Sequence, residues 1–184
     1  MATVVSMRGY EYKNSAKIED KQEVKVKSID AKKQINETAR FIQETITDPI
    51  VASVGGEWSV FALARSGEKV PESYYKKYYA NVEKTLKEKE GKLHHIKYTE
   101  YDRVILALTS IGRDVRDVSG YDLTKPLADF NTLIKQGING PIFALIALDS
   151  NNYEIPIDKD VKVQTTRQLL VDFILGREVE GGGW

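Results

Sequence analysis

The chain of 184 residues is long enough to bury a substantial hydrophobic core in one domain. Lys and Arg number 27 in total, as do Asp and Glu, so no basic field attracts nucleic acid or anionic lipid. Cysteine is absent, which excludes disulfides and thiolate zinc sites, and no apolar run reaches the roughly 20 residues that cross a bilayer. We therefore expect neither nucleic-acid binding nor membrane insertion.

Residues 1–33 differ in composition from the rest of the chain. They are rich in lysine and contain few large apolar side chains, although Val24, Val26 and Ile29 are compatible with a short strand. Such a composition is typical of a segment that packs poorly, so we predict a polar leader at 1–33 and a helical domain at 34–184. The first residues lack the basic start and apolar centre of a signal peptide.

Seven helices of two kinds follow along the chain. Apolar residues at three- and four-residue spacing predict amphipathic helices at 31–47, 74–90, 123–136 and 165–177. Nearly continuous apolar residues predict short helices at 58–65, 98–111 and 141–148. Because the two kinds alternate, we predict two layers, with the short apolar helices inside and the amphipathic helices covering them.

The short apolar helices also share a sequence pattern. An Ala-Leu pair recurs in each, and a polar residue lies near each helix start: Glu57, Asp102 and Asn139. Gly183 is the next equivalent position, so Trp184 aligns with Trp58 in the repeat. The spacings between these four successive positions are 45, 37 and 44 residues. A period of about 40 residues is the size of one helix pair with its loops, which indicates a helical repeat protein.

A repeat of this size fits an open solenoid or a closed ring of helices. The sequences Gly55-Gly56-Glu57-Trp58 and Gly181-Gly182-Gly183-Trp184 resemble the prenyltransferase and squalene-cyclase type repeats of α/α toroids. The resemblance spans roughly residues 35–184 and is closest to bacterial surface or secreted proteins, which are related in fold to the cobalamin carriers intrinsic factor and transcobalamin. It implies an all-α partial toroid of about three and a half helix pairs and an extracellular or cell-surface location.

The same resemblance implies two enzymatic sites, and neither has its residues here. Cyclases of this superfamily use an Asp-x-Asp-Asp motif, whereas Asp114-Val115-Arg116-Asp117 has a different spacing. Protein prenyltransferases hold zinc through Asp, Cys and His, and this chain has no cysteine. Adjacent histidines rarely share a metal, so His94 and His95 favour a solvated loop. We predict no catalytic residues, no metal and no cofactor.

Candidate ligand-binding residues lie where the inner helices begin. The polar members are Glu57, Asp102 and Asn139, and the aromatic members are Trp58, Tyr101 and Trp184. In one interpretation the polar groups satisfy backbone N–H groups and complement the helix dipole, while the aromatic rings pack in the core. In the other, both sets line the mouth of the ring and contact a ligand.

A second aromatic group lies on the first long amphipathic helix. It consists of four tyrosines at i, i+1, i+4 and i+5: Tyr74, Tyr75, Tyr78 and Tyr79. We expect one pair to pack on the inner helices and the other to shield the edge of the layer. The alternative is an exposed aromatic strip that binds a glycan or a partner protein.

Three functions are compatible with this sequence. The favoured one is a non-catalytic toroid segment of a surface or exported protein, which binds a small molecule, glycan or peptide. The alternatives are a truncated cyclase- or prenyltransferase-like enzyme with its acidic residues beyond Trp184, and an assembly module completed by another chain. The last requires self-association through the open end of the array, where we expect the apolar stripe of the 165–177 helix to be partly uncovered.

Overall fold

A computed structural model describes residues 30–53 and 55–184. This part of the chain is mostly helical and contains no β-strand, which confirms the predicted all-α class. The helices are α1 (Ala31–Thr45), α2 (Glu57–Arg65), α3 (Glu72–Glu88), α4 (Thr99–Ser110), α5 (Phe130–Leu133), α6 (Asn139–Asp149) and α7 (Arg167–Leu175). Of the leader predicted at 1–33, residues 1–29 lie outside the described residues, and residues 31–33 belong to α1.

The three apolar helices form the centre of the domain. Helix α4 packs against both α2 and α6, α1 packs against α2, and α7 packs against α6. Nearly all of α4 is buried, from Val104 to Leu108, because it has helices on both flanks. The core therefore follows the apolar helices, as their composition predicts.

Helix α3 covers this core with one row of side chains. Tyr74, Tyr78, Val82 and Leu86 recur every four residues and are all buried, whereas Tyr75 and Tyr79 are half-buried. This is the arrangement expected of the tyrosine group. The helix ends at Glu88, and the turn after it closes at Gly91, whose φ of +80° is available to glycine and whose N–H donates to the Leu86 carbonyl at 2.8 Å.

The prediction of one amphipathic helix at 123–136 is wrong. This segment consists of the 3₁₀ turn Lys125–Ala128, the short helix α5 and the 3₁₀ turn Ile134–Gln136. The break lies at Asp129, which is extended and whose carboxylate accepts hydrogen bonds from the N–H and hydroxyl of Thr132. On either side of it, the Thr165 N–H donates to the Ala128 carbonyl and the Phe130 N–H donates to the Val163 carbonyl. This pairing with a distant segment requires an extended backbone that a continuous helix does not have.

Helix α7 is only partly covered. It is capped by Thr166, whose hydroxyl accepts from the Leu169 N–H at 3.1 Å, and Leu170 is buried against the domain. Leu169, Phe173 and Ile174, the other members of the predicted apolar stripe, are half-buried, and Val171 and Leu175 beside it are exposed. Among the described helices, none combines the length and apolar character needed to cross a bilayer.

Candidate functional site

An exposed aromatic cluster joins α2 to α6. The Trp58 ring centroid lies 6.2 Å from that of Phe61, in an edge-on arrangement, and 6.1 Å from that of Phe143 on α6. Trp58 is 43% exposed, so it does not belong to the buried core. Aromatic pairs at these distances stabilise one another while leaving ring surface free for a ligand.

The cluster is part of a larger apolar surface. On α2, one side of the helix carries four residues at i, i+3, i+4 and i+7 spacing: Trp58, Phe61, Ala62 and Arg65. The two at its ends, Trp58 and Arg65, are exposed. On α6, Ile146 is 48% exposed. We group these exposed and half-buried residues as the inner-helix face, in which Trp58 contacts Phe61 and Phe143 and the other members are assigned by their helix positions: Ala62, Arg65, Ile142 and Ile146.

Arg65 provides the charge on this face. It is the last residue of α2 and is exposed. Within the described part of the chain, its guanidinium group has no ion pair and no hydrogen bond. A guanidinium group presents several N–H donors in a planar fork that suits a carboxylate.

Beneath the start of α2 lies a buried ion pair. Glu57 is 1% exposed, and its Oε1 accepts from the Ala52 N–H at 2.8 Å. Its Oε2 lies 3.6 Å from Nε of Arg103, which reaches across from α4. The carboxylate therefore fixes the loop before α2, where Ala52 has a φ of +57°, and also ties α2 to α4.

The titratable groups around this pair are shifted by burial. Burial raises the pKa of Glu57, although the Ala52 N–H and the Arg103 charge oppose that shift. Burial also raises the pKa of Tyr78 well above its ordinary value, and the negative charge of Glu57 adds to the effect. Burial, with a smaller contribution from Tyr75, raises the pKa of Tyr74 to about 12. Both of these buried tyrosines are thus neutral at physiological pH.

Asp102 has a different environment from Glu57. It is the fourth residue of α4 and is 0% exposed, and neither of its carboxyl oxygens has a hydrogen-bond partner. Burial raises its pKa well above the ordinary value, and the charge of Arg103 opposes this only in part. An unpartnered carboxyl group in such a site favours the protonated form. Its complete burial does not support direct contact with a ligand.

The remaining candidates are dispersed. Tyr101 is buried, and its hydroxyl accepts from the Leu93 N–H at 2.9 Å. Asn139 is exposed as the first residue of α6. Trp184 is 62% exposed, and its Nε1 donates to the Ile174 carbonyl at 2.7 Å, so it lies against α7. Of the predicted residues, Trp58 alone makes aromatic contacts on the inner-helix face.

Phe61 and Phe143 are members of the site that the sequence interpretation missed. Both precede the recurrent Ala-Leu pair, Phe61 in α2 and Phe143 in α6. The repeat alignment therefore contained a signal for them, since equivalent phenylalanines on two inner helices are candidates for one shared surface.

The described residues contain no group of three or more His, Asp or Glu side chains that could hold a metal ion. His94 and His95 stack on each other, with ring centroids 4.8 Å apart and an interplanar angle of 9°. Comparisons with protein-family models, curated proteins and solved structures found no match to this chain. The resemblance to toroid repeats accordingly stays a sequence-based prediction.

Proposed function

We propose that this chain is a non-catalytic binding segment of an exported or surface-displayed α/α toroid, and that the inner-helix face binds an apolar peptide segment of a partner protein. The observation that carries the proposal is the exposed Trp58 ring held between Phe61 and Phe143. The toroid and its location are supported by the glycine-rich repeat sequences alone.

The composition of the face supports a protein or peptide partner. Trp, Phe and Arg are enriched in protein interfaces, and Trp and Arg dominate the residues that contribute most to binding energy. Contiguous apolar surface on an otherwise polar domain is typical of an interaction site. Because Arg65 has no partner in the described part of the chain, the bound segment is expected to place a carboxylate opposite it.

The positions of the carboxyl groups support binding over catalysis. Carboxyl groups with raised pKa values are common in active sites, and Glu57 and Asp102 both have this property. A general acid or base must also come within hydrogen-bond distance of its substrate. Both side chains lie beneath the surface, and the inner-helix face itself contains no carboxyl group.

Fluorescence of Trp58 provides a direct test, because the chain has 2 tryptophans. The Trp184→Phe variant leaves Trp58 as the sole reporter. The probe is a synthetic amphipathic helical peptide with Leu and Phe on one face and Glu at the end of that face. We expect a saturable shift in Trp58 emission with a Kd on the order of 1–100 μM.

Three further variants locate the binding. Phe143→Ala and Ile146→Ser remove apolar surface from the face and should weaken binding at least about tenfold. Val171→Ser, at an exposed apolar position on α7, is the matched control and should leave the Kd unchanged. Arg65→Glu should weaken binding of the Glu peptide and strengthen binding of its Glu→Lys counterpart. A folded Trp184→Phe protein whose emission does not respond to the peptide would refute the proposal.

A second candidate function, assembly with another copy, is favoured by the exposed apolar residues around α7. Leu175, Val179 and Trp184 are all exposed at this edge. Light-scattering mass should then rise with protein concentration, and Leu175→Ser should reduce that rise. A constant monomer mass at all concentrations would exclude this candidate.

A further inference from the structure

An open cleft of about 690 Å³ lies outside the inner-helix face and shares no residue with it. Its walls come from the loop between α3 and α4, from the segment before α5, and from residues Asp158 and Val161. The volume is within the range of about 300–1,000 Å³ that small-molecule sites occupy. The cleft therefore has the dimensions of a ligand site that the proposed function does not include, and of the ligand-binding residues predicted from the sequence it contains Tyr101.

The walls of the cleft are held in place by specific contacts. Gly91 packs directly against the Tyr121 ring, where a Cβ atom would clash with it. The Tyr101 hydroxyl fixes the backbone of Leu93, and His94 Nδ1 accepts from the N–H groups of Ile96 and Lys97, each at 3.0 Å. A cleft whose loops are fixed in this way loses little conformational entropy when a ligand binds.

Flat aromatic surfaces line much of the cleft. The stacked rings of His94 and His95 form one surface. Tyr98 forms another and is braced edge-on by Tyr101, with ring centroids 5.4 Å apart. Tyr121, which is half-buried, provides a third. Such rings offer apolar planes with polar tips, which suit a ligand that is itself amphipathic.

The polar groups of the cleft carry both signs of charge. Lys92 and Lys125 are exposed, and within the described part of the chain neither side-chain ammonium group has an ion pair or a hydrogen bond, so these groups are available as donors. Four carboxylates also line the cleft: Glu90, Asp122, Asp129 and Asp158. Thr132 engages both oxygens of Asp129. Asp122 and Asp158 each accept hydrogen bonds at Oδ1 alone, from Thr124 and from the Asp160 N–H, so each keeps its second oxygen as an acceptor for a ligand.

We propose that this cleft binds a neutral saccharide. A pyranose ring has apolar C–H faces that match flat aromatic side chains, and its hydroxyl groups donate and accept hydrogen bonds, which suits lysines and carboxylates together. The carboxylates outnumber the lysines and so disfavour a phosphate or carboxylate ligand. The two lysines disfavour a simple cation. The inference goes beyond the proposed function, because it concerns a different surface and a different class of ligand.

The test uses the full chain and an immobilised panel of oligosaccharides. The panel contains neutral hexose and N-acetylhexosamine oligomers together with sialylated and phosphorylated ones. We expect selective binding of neutral members, with Kd values on the order of 0.01–1 mM by titration calorimetry. Absence of binding to any neutral member, or preference for the anionic members, would overturn the proposal.

Surface variants assign the binding to the cleft. His95 and Lys125 are both exposed, so His95→Ala and Lys125→Ala should leave the fold intact and weaken saccharide binding at least about tenfold. Lys135→Ala, at an exposed lysine outside the cleft, is the matched control. Phe143→Ala should bind saccharide as well as the unaltered chain, because it changes the inner-helix face alone. Saccharide binding that survives both cleft substitutions would also overturn the proposal.

Discussion

The buried carboxyl group of Asp102 predicts an unusual dependence of stability on pH. Asp102→Asn preserves the shape of the side chain and removes its ionisation. Ionisation of the wild-type carboxyl group is opposed by complete burial and by the absence of hydrogen-bond partners. Asn leaves the hydrogen-bonding groups of this site equally unsatisfied, so its advantage comes from the loss of ionisation, which costs the wild type about 1.4 kcal/mol per pH unit between the unfolded-state and folded-state pKa values. For a domain of this size, that corresponds to a rise in Tm of roughly 3–6 °C for each pH unit of this range.

The direction of the pH effect follows from proton linkage. In the unfolded chain Asp102 ionises near its ordinary pKa of about 3.9, whereas burial raises the pKa in the folded state well above that value. Between these two pKa values the folded state binds the additional proton, so the stability of the wild-type protein falls as pH rises. At a pH below both values the group is protonated in both states, and the two proteins should have nearly equal stability.

Thermal melts followed by circular dichroism, at intervals from pH 3.5 to pH 8, measure this difference. Glu100→Gln is the matched control, because Glu100 lies in the first turn of the same helix and its removal changes the net charge equally. We expect the advantage of Asp102→Asn to appear above about pH 4 and to grow with pH. A lower Tm for Asp102→Asn at pH 7, or a difference that does not vary with pH, would refute this account of the site.

Three pairs of substitutions test the packing of the domain. Gly140→Ala should lower the free energy of unfolding in urea by about 1–3 kcal/mol, because a Cβ atom would clash with the Leu133 carbonyl oxygen. Gly176→Ala, where the space is less tight, should lower it by less. Asp129→Ala should lower the free energy of unfolding by about 1 kcal/mol in the same assay, because α5 loses its cap, and Thr166→Ala should do the same at α7. An unchanged free energy of unfolding in either variant would contradict the capping assignment. Tyr101→Phe should lower stability by about 1 kcal/mol in thermal unfolding, because the Leu93 N–H loses its acceptor. Tyr74→Phe should be neutral or stabilising, because the buried Tyr74 hydroxyl has no partner. The reverse order of the two variants would contradict both environments.

Helices with clear periodicity could be predicted from the sequence, because their burial is determined by local spacing. Helix α3 is the best case, since its four-residue row of Tyr74, Tyr78, Val82 and Leu86 meets the core as expected. The 123–136 segment could not be predicted in this way. Its apolar residues have helical spacing, but its backbone pairs with residues 163–165, and a local pattern carries no information about a partner so far along the chain.

The repeat pattern predicted which helices are central but not which residues they bury. Ala62 is exposed in α2, whereas the aligned Ala144 is buried in α6. Likewise, Glu57 and Asn139 are the first residues of their helices, while Asp102 lies a turn further into α4, where neighbouring helices pack. A difference of one turn or less in where each helix begins changes the environment completely, so residues equivalent in the alignment have different surroundings.

The apolar character of the inner helices exceeds what the core of this domain uses. Helix α6 is apolar on all sides, yet Ile146 is exposed and Phe143 is half-buried. Helix α2 repeats the feature with Trp58 exposed and Phe61 half-buried. Apolar side chains in contact with water contribute little to stability, so selection for folding alone gives no reason to place them together on two helices. The contact of Trp58 on α2 with Phe143 on α6 is explained if a partner covers the inner-helix face. This explanation depends on the packing of the rings and not on the toroid resemblance.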